Sequence, residues 1–112
     1  MRLNGRPRLS ERDFLGIVLE LAKLNGWLVH HCRASRTKRG WRTPVQGDAG
    51  FPDLILIHPA DGVQLAAELK ADDGLVTPAQ TRWLDGYRAC GVGGGLWRPA
   101  DWPLIELALR RD

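Results

Sequence analysis

The sequence predicts an α/β domain, one mixed β-sheet flanked by α-helices. Three observations point there. Apolar residues recur at three-to-four spacing near both ends of the chain. Two apolar runs are joined by Pro59-Ala60-Asp61-Gly62. A Thr77-Pro78-Ala79-Gln80 helix start separates the second run from a further short strand. The order is helix, strand, strand, strand, helix, strand, helix.

Each element has a local reason. Residues 1–9 are basic, contain Gly5 and Pro7, and read as a flexible arm. Ser10 reads as an N-cap, with acidic Glu11 and Asp13 in the first turn. Phe14, Ile17, Val18, Leu21, Ala22 and Leu24 then mark an amphipathic helix over 10–25, closed by Asn25-Gly26. A first strand is expected over 27–32. Residues 33–50 carry five basic side chains, four glycines or prolines and no apolar period, and read as a long, functional loop. The stretch 53–58 is a buried-type strand and 63–71 its return, together a hairpin. Thr77 would cap the second helix, Pro78 suits its first position, and Gln80 would complete a capping box. That helix runs to about Cys90, with Trp83, Leu84 and Tyr87 facing inward. A last strand over 92–98 is weakened by Gly93, Gly94 and Gly95. Asp101 is expected to cap a final helix carrying Leu104, Ile105, Leu107 and Ala108.

The bulk numbers bound the function. A chain of 112 residues fits one domain, 1–112. With 44% hydrophobic and 26% charged residues, wholesale disorder is excluded. Net charge is +3, too small to identify a nucleic-acid binder by itself. Its distribution says more: Arg33, Arg36, Lys38, Arg39 and Arg42 cluster in the loop, and Arg2, Arg6, Arg8 and Arg12 at the start. Such clusters suit a polyphosphate backbone, through counterion release, or serve as a solvated surface. Cys32 and Cys90 have no metal-knuckle or disulfide spacing and read as buried free thiols of a reducing cytoplasm. No signal segment or membrane-length apolar run is evident.

The chemistry concentrates between Gly50 and Lys70. Asp53 opens one strand of the hairpin and Glu68 lies in the other, so the two carboxylates meet at one end of the sheet. Glu68 and Lys70, two apart, share a face. Two carboxylates suffice for Mg²⁺, which keeps several waters. A lysine beside them orients or deprotonates water, or stabilises charge on a phosphoryl group. Glu-x-Lys alone is common as a solvated pair on exposed strands. The joint pattern of Pro-Asp, apolar strand, turn, apolar strand and Glu-x-Lys is far more specific.

GFPDLILI, AAELKADDG, TPAQTRWLDGYRACG and the trailing LWRPADW resemble the VRR-NUC branch of the PD-(D/E)xK nucleases, over about residues 10–102. The likeness is to the stand-alone members of phages and prophages. It implies a restriction-endonuclease-like core, Mg²⁺ or Mn²⁺ dependence and DNA phosphodiester cleavage, as a homodimer on branched, four-way DNA in some members. The setting it implies is the cytoplasm of a bacterial host, with the protein phage-encoded in some cases. By position, Asp53 and Glu68 resemble the metal carboxylates and Lys70 the catalytic lysine. Gln80 matches the glutamine near the site, and reads equally as a capping-box residue. The family also has a first-helix glutamate reaching the metal. Glu11 and Glu20 both qualify, and SERDF favours Glu11, an acid that the helix dipole also explains. The run Gly93–Gly95 departs from the family's β-branched or aromatic residues.

Other candidates are weaker. Only one of His30 and His31 can face the site. Ser35 and Thr37 could touch phosphates, and Asp48 could join the acids or serve a turn, as Asp72 and Asp73 do. Trp27 and Trp83 read as core, while Trp41 reads as a packing residue or a base-stacking one. Two functions compete with the DNA endonuclease: a non-catalytic DNA-binding module, and a nuclease subunit activated by a partner.

Overall fold

The computed structural model describes residues 8–32, 35–37, 40–42 and 47–111, with side chains for 8–32 and 47–111. Helix α1 spans Glu11–Leu24 and opens on Ser10, whose hydroxyl accepts from Asp13 N at 3.0 Å. Phe14, Val18 and Ala22, four apart, are fully buried. Gly26, at φ 83°, turns the chain out of the helix.

Strand β1 (Leu28–His31) pairs antiparallel with β4 (Leu54–His58), and β4 pairs antiparallel with β5 (Val63–Leu69). Helix α2 (Pro78–Ala89) carries the chain back, so that β6 (Gly93–Trp97) runs parallel to β5. A parallel pair needs such a crossover. The sheet order is β1-β4-β5-β6. A short 3-10 turn, Pro99–Asp101, precedes α3 (Trp102–Leu109). The expected mixed sheet flanked by helices is the architecture found.

One sheet face is the core. Leu54 and Leu56 of β4, Leu65, Ala67 and Leu69 of β5, and Trp97 of β6 pack against Phe14, Val18, Ala22, Ile105 and Leu109. Removing a buried side chain of the Phe14 kind costs about 3–5 kcal/mol. On the other face α2 covers β5 and β6. Both sides of β5 are therefore shut, and residues 65–69 are all buried, Glu68 among them.

Several expectations change. The 33–50 stretch is not all loop: β2 (Ser35–Thr37) and β3 (Gly40–Arg42) pair antiparallel as a separate two-stranded sheet. A hairpin without an apolar period leaves no mark in a periodicity search. Strand β6 forms in spite of its glycines. Gly94 sits at φ 106°, and a Cβ there would run into the Ala66 backbone, so β6 requires glycine at that point. Asp101 caps no part of α3 with its side chain; it accepts from Arg98 N at 2.9 Å and closes the 3-10 turn. Leu104 and Leu107 of α3 are exposed, whereas Ile105 and Leu109 are buried. Trp27 is core at 4% exposure, but Trp83 is only half-buried because it packs against the loop before β4. The thiols are free but not buried: Cys32 is half-buried and Cys90 exposed. Arg8 and Leu9 are no loose arm, since Arg8 lies 3.4 Å from Asp73 and Leu9 packs on the core. Among the described residues no helix is long and apolar enough to cross a membrane.

Candidate active site

The strand register builds the site. Leu54 pairs with Ala67, so one further step along the ladder sets Asp53 opposite Glu68. Pro52 is fully buried and anchors the entry to β4. Gly50, at φ 95°, has the Ala79 backbone where a Cβ would stand. The Gly-Phe-Pro-Asp loop therefore lies directly on the first turn of α2, which carries Gln80.

Each side chain has a fixed partner. Asp53 Oδ2 accepts from Leu69 N at 2.9 Å, tying the carboxylate to β5. Glu68 Oε2 accepts from Gln80 Nε2 at 2.9 Å and lies 3.8 Å from Lys70 Nζ. Glu68 Oε1 is buried and has no hydrogen-bond partner among the described residues. Burial pushes the Glu68 carboxyl up to about 8, the negative charge of Asp53 adds to that, and Lys70 opposes it.

Gln80 does both things its position allowed, and at once. Its backbone N–H donates to Thr77 Oγ1 at 3.1 Å and its Oε1 accepts from Thr77 N at 2.9 Å, while its Nε2 reaches Glu68. The amide has an acceptor end for the cap and a donor end for the site. A glutamate would cap equally well but would set a third carboxylate against the pair.

Glu11 opens onto a groove that also holds Asp53, Arg12, Leu15, His31 and Leu69. Glu20 is exposed and is not among the groove residues. Of the two strand histidines, His31 faces this groove. Among the described residues no three of His, Cys, Asp and Glu are gathered closely enough to hold a metal ion. Glu11 thus shares the groove with Asp53 without closing a three-carboxylate cluster. Of the proposed phosphate contacts, Arg33, Lys38 and Arg39 lie outside the described residues, and the side chains of Arg36 and Arg42 do too.

Sequence reasoning missed several supports. Arg98 Nη1 donates to the Ala71 carbonyl at 2.7 Å and the Asp72 carbonyl at 3.2 Å, bracing the chain just after Lys70. Lys70 N donates to the Trp97 carbonyl at 3.1 Å, which holds it to β6. The sequence counted Arg12 only among the basic residues at the start and left open which of His30 and His31 faces the site; the fold brings Arg12 and His31 into the groove. An arginine next to Pro-Ala-Asp was visible but gave no hint of its target.

The residues present fit a hard divalent cation. The donors are carboxylate oxygens, the pair is register-opposed, and one buried Glu68 oxygen has no hydrogen-bond partner among the described residues. One or two carboxylates plus water are what Mg²⁺ takes from a protein.

No family model matches the chain, and no curated protein matches it either. Among solved structures, a protein described as a VRR_NUC domain protein is similar at 24% identity, with 90% of this chain and 86% of that chain covered and a TM-score of 0.61. At that identity the likeness speaks for architecture, and the chain has a VRR-NUC-like fold.

Proposed function

We propose that this protein is a divalent-metal-dependent nuclease that hydrolyses DNA phosphodiester bonds. The observation that carries the reading is the buried Glu68 carboxyl, held opposite Asp53 and beside Lys70. The VRR-NUC-like fold supports the same reading by analogy.

In this reading Asp53 and Glu68 would hold Mg²⁺ or Mn²⁺, and Glu11, which lines the same groove as Asp53, would be a further carboxylate toward it. A divalent cation polarises a phosphoryl oxygen and acidifies its water. Gln80 keeps Glu68 aimed through its bond to Oε2. Lys70, at 17% side-chain exposure, keeps its ammonium beside the pair and offers protons to a phosphate oxygen. Arg33, Arg36, Lys38, Arg39 and Arg42 would follow the phosphate backbone. Two copies about a two-fold axis would offer one site to each of two strands, which suits branched or four-way DNA.

The test is cleavage of labelled duplex, single-stranded and four-way DNA with Mg²⁺, Mn²⁺ or EDTA, next to Lys70→Ala. Metal-dependent cutting is expected, reduced at least about a hundredfold in Lys70→Ala, with circular dichroism unchanged. Binding without cutting under every metal would replace the enzyme by a DNA-binding module or a subunit that needs a partner.

A further inference from the structure

Beside the carboxylates lies a second concavity that their chemistry does not use. It is a cleft of about 350 Å³ along the outer side of α2, lined by Asp48, Arg82, Trp83, Gly86, Tyr87 and Cys90. Trp83 and Tyr87 form its walls, ring centroids 6.0 Å apart and tilted by 38°. Phe51 backs them edge-on, 5.1 Å from Trp83 and 6.4 Å from Tyr87. The indole is held in place: Trp83 Nε1 donates to the Asp48 and Ala49 carbonyls at 3.3 and 3.0 Å. A platform already fixed loses little rotamer freedom when something stacks on it.

Gly86 is the second observation. Glycine inside a helix costs about 0.5–1 kcal/mol relative to alanine. Here a Cβ would meet nothing within 4 Å, so no neighbour demands the glycine. What its absent side chain keeps open is the cleft it lines.

The cleft and the candidate site draw on the same loop and the same helix. Phe51 stands two residues before Asp53 on the same loop. Trp83 follows Gln80 by three residues on α2, about 4.5 Å along the helix axis. The rim carries one hydrogen-bond acceptor and one donor group, Asp48 and Arg82, 4.0 Å apart and both exposed. Flat apolar walls with a polar rim match a nucleobase, which presents two π faces and a polar edge.

We propose that this cleft holds one unpaired nucleobase of the strand whose phosphodiester lies at Glu68. The inference rests on the nuclease reading and narrows it. The substrate then carries an unstacked nucleotide beside the cut, as a single strand, a flap or a branch point does, and uninterrupted duplex does not. The base stacks on Trp83 and Tyr87, and its edge meets Asp48 and Arg82.

A thermodynamic cycle tests this, with EDTA present to hold cleavage off. The four affinities are those of the intact chain and of Gly86→Leu for a single-stranded oligonucleotide, with and without one abasic nucleotide. The abasic position is stepped along the strand. At one position base removal is expected to weaken binding to the natural chain by about 5- to 100-fold, the size of one base-stacking contact. The same removal is expected to cost Gly86→Leu almost nothing further. Gly86→Ala serves as the folding control, with a melting temperature at or above that of the natural chain and a partial loss of the same base dependence. Equal losses in both proteins at every position would overturn the cleft's ligand, while metal-dependent cleavage would leave the nuclease standing. No nucleic-acid binding and no cleavage would remove both. Protection of the cleft by an apolar peptide, with no effect of base removal, would also overturn the nucleobase.

Discussion

The two ends of β4 are built on opposite principles. At the His58 end, His58 Nε2 pairs with the Asn25 carbonyl at 2.9 Å and Arg111 Nε lies 3.3 Å from Asp61 Oδ2. Arg111 stacks over Trp27 at 4.9 Å, its backbone N–H donates to Asn25 Oδ1 at 3.0 Å, and Trp27 Nε1 donates to the Leu109 carbonyl at 2.9 Å. One carboxylate there faces an arginine and a histidine, and the network fastens the chain after α3 to the end of α1. At the Asp53 end two carboxyl groups face each other with one lysine beside them. The first arrangement balances charge for stability. The second sets two carboxyl groups together in a buried place, and the folded chain meets their repulsion by holding the Glu68 proton more tightly.

Glu68→Gln should break the contrast most strongly. Cleavage is expected to fall at least about a hundredfold, because one of the two carboxylates is gone. Metal-free stability is expected to move the other way. The folded Glu68 carboxyl sits near 8 against an ordinary 4.5, so the folded chain holds its proton more tightly than the unfolded one. That stabilisation is full below pH 4.5 and is lost as pH rises through about 8. Thermal melts in EDTA at successive pH values should show the melting temperature of the natural chain falling over that window. The glutamine variant should lose most of this slope and melt higher at pH 8. A slope unchanged by the substitution would mean that Glu68 is not strained in the fold.

Gly50→Ala comes next. The left-handed backbone and the Ala79 contact make any Cβ costly, about 1–3 kcal/mol by denaturant titration, and the loop carrying Asp53 should shift off α2. Cleavage should drop with it. Gln80→Glu is subtler: it keeps a residue able to close the capping box but turns a donor into a third carboxylate. Its stability in EDTA at pH 8 is expected to fall by about 1–2 kcal/mol, and Gln80→Ala, which loses the cap without adding charge, should fall less. Arg111→Ala sharpens the comparison from the far side. It should cost about 1 kcal/mol or less, since Asp61 is exposed, and leave cleavage as it was.

The hairpin and the juxtaposition of Asp53 and Glu68 were legible because they are local. The turn at 59–62 sets the register, and the register sets Asp53 opposite Glu68. The capping box was likewise written in four adjacent residues. What could not be read depends on distant segments meeting. His31 reaches the groove because β1 lies beside β4, and Arg98 braces the chain after Lys70 only once β6 lies beside β5. Trp83 looked like core because helix period cannot tell a face that meets the sheet from one that meets a loop. Gly94 looked like a weakness, yet the close approach to Ala66 makes it a requirement.

Gln80 also links two clocks. Helix ends ordinarily fray on fast timescales and exchange their amide protons readily. If the first turn of α2 opened, Glu68 would lose its amide donor while still buried between two layers. Opening there is thus coupled to disruption around β5, a strand at the centre of the sheet. Amide exchange at Gln80 and Thr81 is expected to be slow, close to that of β5 and well below the rate at the far end of the same helix. The start of α2 would then move with the sheet rather than with the surface.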